Sequence, residues 1–420
     1  MDERVQAALA LTAEWLSARQ KDEGCWLPEK RLFNEPEEYS SEIISTSQAA
    51  NALLLCNRSD KMSNLRAALN FCCNHALESS APVAWFAWKL LTLRLSDAVS
   101  NGKEIRYLER ELVKRQDAKG YWAVFPVTLN ATNFMVLNAL GNGHPDVTEK
   151  SLAWFRRSQL KSGGWSRDGQ GKLSEPPATG TVAVTMIMLG ENPENPALRK
   201  AAAFLEKSQL TDGGWKTTRI KEAGAYPTAF ATLALMLLSK NPFNERVQKG
   251  VDYLLKIQNK DGGWPFAAGH ASQLYTTYYA VHTLAFWQHL HDEWDRPEIK
   301  ELRDKLGLQE TAVWLYRRFP SHLKERFEKL LVRGMLNTKA LGSSKDAIRR
   351  RQDILLALSE GGPGDTAEVI DRLKLRPEYE HLSKKSHITQ IKADLDYLVD
   401  INLAGLVRRR YSVVKDFMRN

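Results

Sequence analysis

Along the first 318 residues, apolar positions recur with a helical period and predict a series of helix pairs. The first helix of each pair runs into a Gln, and the second is rich in Ala, Thr and Leu. First helices are predicted at residues 4–19, 63–75, 103–115, 148–159, 198–209 and 246–258. Second helices are predicted at residues 42–56, 82–95, 130–141, 178–190, 226–239 and 274–290. One pair cannot bury its own apolar faces, so the pairs are expected to stack.

The first helices end at a repeated turn, in which Gly breaks the helix and a Trp follows. In each of the five copies a Gln is followed by a Trp at the same distance, and we interpret both residues as structural. The pairs are Gln20 with Trp26, Gln116 with Trp122, Gln159 with Trp165, Gln209 with Trp215, and Gln258 with Trp264. The gap between Trp26 and Trp122 is two repeat lengths, which predicts a degenerate copy near residue 74, at Ala68–His75. Such a period fixes the architecture before any single residue is interpreted.

This spacing of Gln, Gly and Trp resembles the repeat of the terpenoid cyclase and protein prenyltransferase β-subunit superfamily, of squalene cyclase type. The resemblance covers residues 1–318 and implies an α/α toroid of about six helical hairpins, with six inner helices ringed by six outer ones. The second helices would then line a central cavity. An open helical solenoid with coincidental turns is the alternative.

The chemistry of that superfamily is largely missing from the matching positions. The proton-initiated cyclases use an Asp-x-Asp-Asp acid at the start of an inner helix, where this chain offers Glu42 as a weak candidate, with Glu38 nearby. The prenyltransferases hold zinc on inner-helix starts, and the stretch Gln273–Thr277 lacks those ligands. We interpret the nearby histidines as partly exposed helix residues: His270, His282, His289 and His291. No catalytic residue, metal site or cofactor is therefore expected.

Polar and aromatic side chains on the predicted inner helices are candidates to line the cavity. They are Asn51, Trp85, Trp88, Asn133, Tyr226, Tyr275, Tyr278, Tyr279 and His282. Aromatic walls suit a small apolar ligand. The alternative, of equal weight, is that these side chains pack the lumen shut.

Charge is concentrated towards the C-terminus. The whole chain of 420 residues has a net charge of +9, and residues 297–420 carry 25 Lys and Arg against 18 Asp and Glu. No apolar run is long enough to span a membrane, and the N-terminus resembles no secretion signal. All four Cys residues fall in the first two repeats, so we expect no disulfide framework and a cytoplasmic location.

The C-terminal third has a different pattern. After a basic helical connector at residues 319–342, residues 343–420 are predicted to form three helices and two short strand-like runs. This order is similar to a winged helix-turn-helix domain. The expected fold of the whole chain is therefore an all-α toroid followed by a small C-terminal α+β domain. The resemblance implies that DNA or RNA contacts Lys384, Lys385, Thr389, Gln390, Lys392, Arg408, Arg409 and Arg410.

Docking to a protein is the other interpretation of this domain. Its third helix carries Asp394, Asp396 and Asp400, which would repel phosphates if they faced nucleic acid. The function favoured by the sequence is a non-catalytic toroidal scaffold or ligand sensor, coupled to a nucleic-acid-binding module. It would serve as a bacterial regulator or as a subunit of a nucleic-acid-handling or defence complex. The alternatives are a divergent terpenoid cyclase or prenyltransferase-like enzyme, and a purely structural protein-docking subunit.

Overall fold

The chain divides into two compact units, one of residues 1–56 and 64–322, and one of residues 57–63 and 323–420. The computed structural model describes the first unit most fully. The described residues are 2–29, 41–95, 102–123, 130–218, 222–335, 347, 350–351, 353–355, 357–358, 364–374, 385–400, 404–407 and 410–413. Within these ranges, none of the helices combines the length and the apolar character that a bilayer span requires.

The first unit is a closed ring of helical hairpins. Its outer helices are α1 (Glu3–Arg19), α3 (Met62–Asn74), α5 (Gly102–Lys114), α7 (Pro145–Ser158), α9 (Pro196–Ser208) and α11 (Glu245–Ile257). Its inner helices are α2 (Glu42–Cys56), α4 (Val83–Leu95), α6 (Asn130–Leu140), α8 (Pro176–Met188), α10 (Ala225–Leu238) and α12 (Leu274–Glu293). Each inner helix packs on the next, and α12 packs on α2 and α1. The predicted helices and the toroid are confirmed, and the open solenoid is wrong because the ring closes.

Burial explains why the two kinds of helix have different compositions. An inner helix such as α10 is buried along nearly all of its length, which requires small and apolar residues on every side. An outer helix such as α9 buries only one face, formed by Leu198, Ala201 and Leu205. This spacing of three and four residues is the apolar stripe of an amphipathic helix.

The Gln of each repeated turn links one outer helix to the next. The Nε2 atom of Gln159 donates to the carbonyl oxygen of Ala197 in α9, at 2.7 Å. In the same way Gln258 donates to the carbonyl oxygen of Ala8 in α1, at 3.0 Å, and so closes the ring. A side-chain amide suits this role because its NH2 group has two N–H donors. The second N–H donates to a carbonyl oxygen of the turn itself, as Gln258 does to the carbonyl oxygen of Gly262.

The Trp of each turn ties the outer helix to the inner helix of its own hairpin. Trp264 is fully buried, and its indole nitrogen donates to the carbonyl oxygen of Leu254 at 2.7 Å. The backbone N–H of Trp264 donates to the hydroxyl of Thr277, at the start of α12, at 2.8 Å. The same two bonds recur in the other four turns, with Thr or Asn on the inner helix. The structural role predicted for these Gln and Trp residues agrees with these contacts.

The degenerate second repeat uses an ion pair where the others use Gln and Trp. Lys89, a fully buried residue of α4, donates to the carbonyl oxygen of His75 at 2.7 Å. It also contacts the Glu104 carboxylate of α5 at 2.6 Å. A buried ammonium is tolerated only when it is paired and hydrogen-bonded, so these contacts take over the link that the missing Gln and Trp would make.

Two further helices, α13 (Pro297–Leu306) and α14 (Leu308–Met335), follow the ring. The part of α14 up to His322 belongs to the first unit. Gln309 donates to the carbonyl oxygen of Leu238, the last residue of α10, at 2.7 Å. Arg317 donates to the carbonyl oxygen of Ile187, near the end of α8, at 2.8 Å. The start of α14 therefore lies across the C-terminal ends of the inner helices and satisfies some of their free carbonyl groups.

The second unit contains helical residues between 347 and 358, followed by α15 (Thr366–Lys374) and α16 (Lys385–Asp400). Strands β1 (Ala404–Val407) and β2 (Arg410–Val413) pair antiparallel. One face of α16 is buried, at Ile391, Leu395 and Leu398. Ile388, in the first turn of the helix, is 42% exposed.

One acidic residue of α16 lies in the interior. Asp394 is 0% exposed and binds two arginines. Its carboxylate accepts hydrogen bonds from Arg350 at 2.9 Å and from Arg351 at 2.8 Å. The condition under which Asp394 would repel phosphates, that it faces outwards, is therefore not met, because its charge is compensated inside the unit. The same contacts engage two of the basic residues of this region.

Candidate functional site

An aromatic cluster from the inner helices occupies the lumen of the toroid. Tyr279 of α12 is at its centre, and its ring centroid lies 4.6 Å from that of Phe230 and 5.0 Å from that of Tyr275. Tyr226 of α10 lies 5.4 Å from Tyr279. Most of these pairs are tilted or edge-to-face, the arrangements that aromatic rings prefer. The predicted cavity residues Tyr226, Tyr275 and Tyr279 are therefore brought together.

At the level of Tyr279 the cluster bridges the lumen from side to side. The Tyr279 hydroxyl donates to the sulfur of Met135 at 3.7 Å, and Met135 lies on α6, opposite α12 in the ring. On either side, Phe134 contacts Phe230 at 5.4 Å and Trp88 contacts Tyr278 at 5.0 Å. Here the side chains pack the lumen shut, which is one of the two alternatives that the sequence left open.

The mouth of the lumen is less closed. Tyr226 and Tyr275 lie in the first turns of α10 and α12, and both are half-buried. Their ring centroids are 5.1 Å apart. The inner helices all begin at this end, because every hairpin is made in the same order. A pair of partly exposed aromatic rings above a fully buried aromatic floor can cover an apolar group.

His282 lies deeper in the toroid, in an aromatic environment. Its ring is stacked with Tyr278 at 6.1 Å and with Phe319 of α14 at 6.2 Å. Burial lowers the pKa of His282 to about 4, so the imidazole is neutral at physiological pH. Among the described residues, none hydrogen-bonds to its Nδ1 atom.

Other residues assigned to the cavity have structural contacts. Asn51 of α2 donates to Thr92 of α4 at 3.0 Å and so joins two neighbouring inner helices. Asn133 accepts a hydrogen bond from the backbone N–H of Trp122 at 2.9 Å, the position that Thr takes in other turns. Trp85 is half-buried in the first turn of α4.

In the described part of the chain, two acidic residues are themselves the first residue or the N-cap of an inner helix. Glu42 is the first residue of α2 and half-buried, whereas Glu38 lies outside the described residues. Burial raises the pKa of the Cys25 thiol, and the charge of Glu42 adds to that shift, which indicates that Glu42 is close to Cys25. Glu175 is the N-cap of α8, is 8% exposed and accepts a hydrogen bond from the Thr218 hydroxyl. Glu175 was not among the predicted site residues, because a single acid outside an Asp-rich motif gives little signal in the sequence beyond its position before two prolines.

The interpretation of the histidines as partly exposed helix residues agrees with His291, which is half-buried on α12, but His282 and His289 are buried. His291 packs against Phe243 and Trp287, with ring centroids at 4.9 and 4.5 Å. His289, in contrast, comes together with Glu293 and with His322 of α14. Only the tertiary structure brings His322 to this position, so it was absent from our candidates. His270 is exposed in the loop before α12.

The predicted nucleic-acid contacts lie in the second unit. Thr389, Gln390 and Lys392 are exposed on α16. Lys385 begins α16 and Arg410 begins β2. The remaining three, Lys384, Arg408 and Arg409, lie outside the described residues. Of the predicted contact residues whose side chains are described, Lys392 is the one basic residue, so these side chains do not form a basic surface.

The comparisons with known proteins concern the toroid. Residues 105–221 match the squalene-hopene cyclase N-terminal domain, and residues 177–286 match the squalene-hopene cyclase C-terminal domain. The type II terpene cyclase MstE from Scytonema, without ligand, is 15% identical over 69% of this chain and 99% of its own, with a TM-score of 0.53. No curated protein matches this chain in sequence.

A variant of that Scytonema enzyme has been solved in complex with geranylgeranyl dihydroxybenzoate, its substrate. It is 15% identical, the match covers 67% of this chain and 97% of the variant, and the TM-score is 0.52. At this identity the likeness shows the fold alone, which is the α/α toroid of the terpene cyclases. Neither family match extends beyond residue 286, and the comparisons support neither a winged helix-turn-helix nor nucleic-acid binding.

Proposed function

We propose that the toroid, whose residues 105–286 match squalene-hopene cyclase domains, binds an apolar chain of prenyl type at the mouth of its lumen. The observation that carries this proposal is the pair of half-buried rings of Tyr226 and Tyr275, above the buried rings of Phe230 and Tyr279. This proposal takes the place of nucleic-acid binding as the main function.

The geometry limits how far such a ligand would enter. The contact between Tyr279 and Met135 blocks the lumen below the first turns of α10 and α12. A branched end of a prenyl chain could lie against the faces of Tyr226 and Tyr275 and leave the rest of the chain outside. Burying apolar surface contributes about 25 cal/mol per Å², so a few isoprene carbons are enough for measurable affinity.

A direct test is a titration of the purified full-length chain with geranylgeraniol, followed by intrinsic fluorescence. We expect saturable binding, weakened roughly tenfold by Tyr226→Ala and by Tyr275→Ala, because each substitution removes one aromatic face. Tyr107→Ala is the matched control, since Tyr107 is also half-buried but lies on the outer helix α5. Its affinity should equal that of the unsubstituted chain.

Two results would contradict this proposal. One is the absence of saturable binding to the unsubstituted chain. The other is that the Tyr226→Ala and Tyr275→Ala variants bind geranylgeraniol with the same affinity as the unsubstituted chain. Circular dichroism of each variant would show whether the helical ring is intact before its affinity is compared.

A divergent cyclase is the second candidate, and the burial of Glu175 favours it. This carboxyl group is placed at the start of an inner helix and hydrogen-bonds to Thr218. A carboxyl group in such a buried position is the type of group that a cyclase uses as its general acid towards an alkene. The alternative explanation is structural: the negative charge of Glu175 complements the positive end of the α8 dipole.

Product analysis separates the two explanations of Glu175. Full-length protein incubated with squalene or with geranylgeranyl diphosphate would be extracted and analysed by gas chromatography and mass spectrometry. If the chain is a cyclase, Glu175→Gln should lower the yield of cyclic product at least about a hundredfold, since only the acid can donate the proton. Glu42→Gln is measured beside it, because Glu42 is the candidate acid that the sequence offered, and a loss of product in that variant alone would assign the acid to Glu42 instead of Glu175. The absence of any cyclic product would contradict the cyclase candidate, and ligand binding would be the remaining proposal.

A further inference from the structure

Three side chains of metal-binding type meet where α14 crosses the last turn of α12. His289 and Glu293 are one helical turn apart on α12, and His322 comes from α14. Their ligand atoms, which are a nitrogen from each His and an oxygen from Glu293, lie within 4.8 Å of one another. We propose that these three residues, the His289 cluster, form a site for a divalent transition metal ion, with Zn²⁺ as the best match.

The choice of metal follows from the donor atoms. Two imidazoles and one carboxylate are a common ligand set for Zn²⁺, which leaves a fourth position for water or another ligand. Mg²⁺ and Ca²⁺ prefer sites built from oxygen atoms alone, so they suit this cluster poorly. The spacing of four residues between His289 and Glu293 places both on one face of α12, towards α14.

The surroundings also suit a metal ion. The ring of His289 is buried, 4.5 Å from the ring of His322 and 5.1 Å from the ring of Phe319. An apolar residue such as Phe319 keeps water away and strengthens the attraction between a cation and its ligands. His322 is only half-buried, which leaves a path for the ion to enter.

The ion pair of Glu293 has to change when the metal binds. The Glu293 carboxylate pairs with Arg296 at 3.1 Å, and the Arg296 side chain is 59% exposed. An ion pair with such an exposed partner contributes about 0–1 kcal/mol, so a divalent cation can displace the guanidinium. The freed arginine would then move into solvent.

The position of the site suggests its effect. The cluster is at the end of α12 opposite to Tyr275, and α14 lies there across the ends of the inner helices. A metal ion shared by α12 and α14 would hold α14 in place. Because the unfolded chain does not bring the ligands together, binding would stabilise the folded state.

The experiment uses the full-length chain after removal of metal with a chelator. Isothermal titration with Zn²⁺ should show one equivalent bound, and Co²⁺ should give the visible absorption of a low-symmetry site with nitrogen ligands. Glu293→Gln and His322→Ala should each weaken Zn²⁺ binding at least about a hundredfold. Zn²⁺ should also raise the unfolding temperature of the unsubstituted chain, but not that of either variant.

The matched control is His291→Ala, since His291 is on the same helix but packs against Phe243 and Trp287. This variant should bind Zn²⁺ like the unsubstituted chain. The proposal is overturned if the unsubstituted chain fails to bind one equivalent of Zn²⁺. It is equally overturned if His291→Ala weakens binding as much as the two cluster variants, or if Glu293→Gln, which keeps the size of the side chain, leaves the affinity unchanged.

Discussion

Replacing Gly262 with Ala is expected to lower the free energy of unfolding of the toroid by roughly 4 kcal/mol. Gly262 has a φ of +99°, and a Cβ atom there would lie 2.4 Å from the carbonyl oxygen of Leu11 in α1. The turn around Gly262 also accepts hydrogen bonds from Thr12 and Gln258 at 2.9 Å. The substitution would therefore push α1 away from the contact that closes the ring.

The measurement is urea unfolding followed by tryptophan fluorescence, with Gly269→Ala as the control. Gly269 also has a positive φ, of +83°, but among the described residues, its two chain neighbours aside, none has an atom within 4 Å of the position of an added Cβ. Gly269→Ala should therefore lower the free energy of unfolding only by the cost of the backbone conformation, about 1 kcal/mol. Equal losses in the two variants would show that ring closure at Leu11 does not depend on the absence of a side chain.

In the second unit, replacing Asp394 with Asn should destabilise the packing of α16 by roughly 3 kcal/mol. Asp394 is 0% exposed, and it holds Arg350 and Arg351 through two charge-assisted hydrogen bonds. A neutral amide in its place leaves two guanidinium groups with only part of their charge compensated. The arginines are themselves partly exposed, so the loss falls at the lower end of the range for buried ion pairs.

Hydrogen exchange with mass spectrometry measures this effect locally. Peptides from residues 385–400 should exchange about a hundredfold faster in the variant, while peptides from the toroid keep their rates. Asp396→Asn is the control on the same helix, because Asp396 is exposed, and its effect should stay within about 0.5 kcal/mol. Unchanged protection in the Asp394→Asn variant would mean that the two arginines do not hold α16.

The aromatic packing bears on how the toroid functions. Five of the turns that build the ring keep their Trp contacts, as at Trp26 and Trp264, whereas the lumen is bridged by Tyr279 and Met135. The forces that make the ring therefore do not require an open cavity, which is one reason why fold alone does not give the function. The partly exposed Tyr226 and Tyr275 remain the place where a small apolar ligand would gain most from contact.

The sequence by itself determined the helices and the turns between them, whereas their closure into a ring was implied only by the resemblance to the terpenoid cyclase superfamily. The helices and turns could be predicted because Gln, Gly and Trp act locally, at fixed spacing, and because the alternation of amphipathic and Ala-rich helices sets which face is buried. Even the degenerate second repeat was located from the period, although its replacement by Lys89 and Glu104 was not.

The tertiary structure alone decided which distant residues meet. Asp394 looked like a surface acid until Arg350 and Arg351 were placed beside it. His289 gained Glu293 and His322 as neighbours only because α14 crosses the end of α12. The filling of the lumen likewise depends on contacts between opposite helices. Local patterns determine helices and turns, whereas contacts across a ring depend on how all six hairpins pack, which no short stretch of sequence specifies.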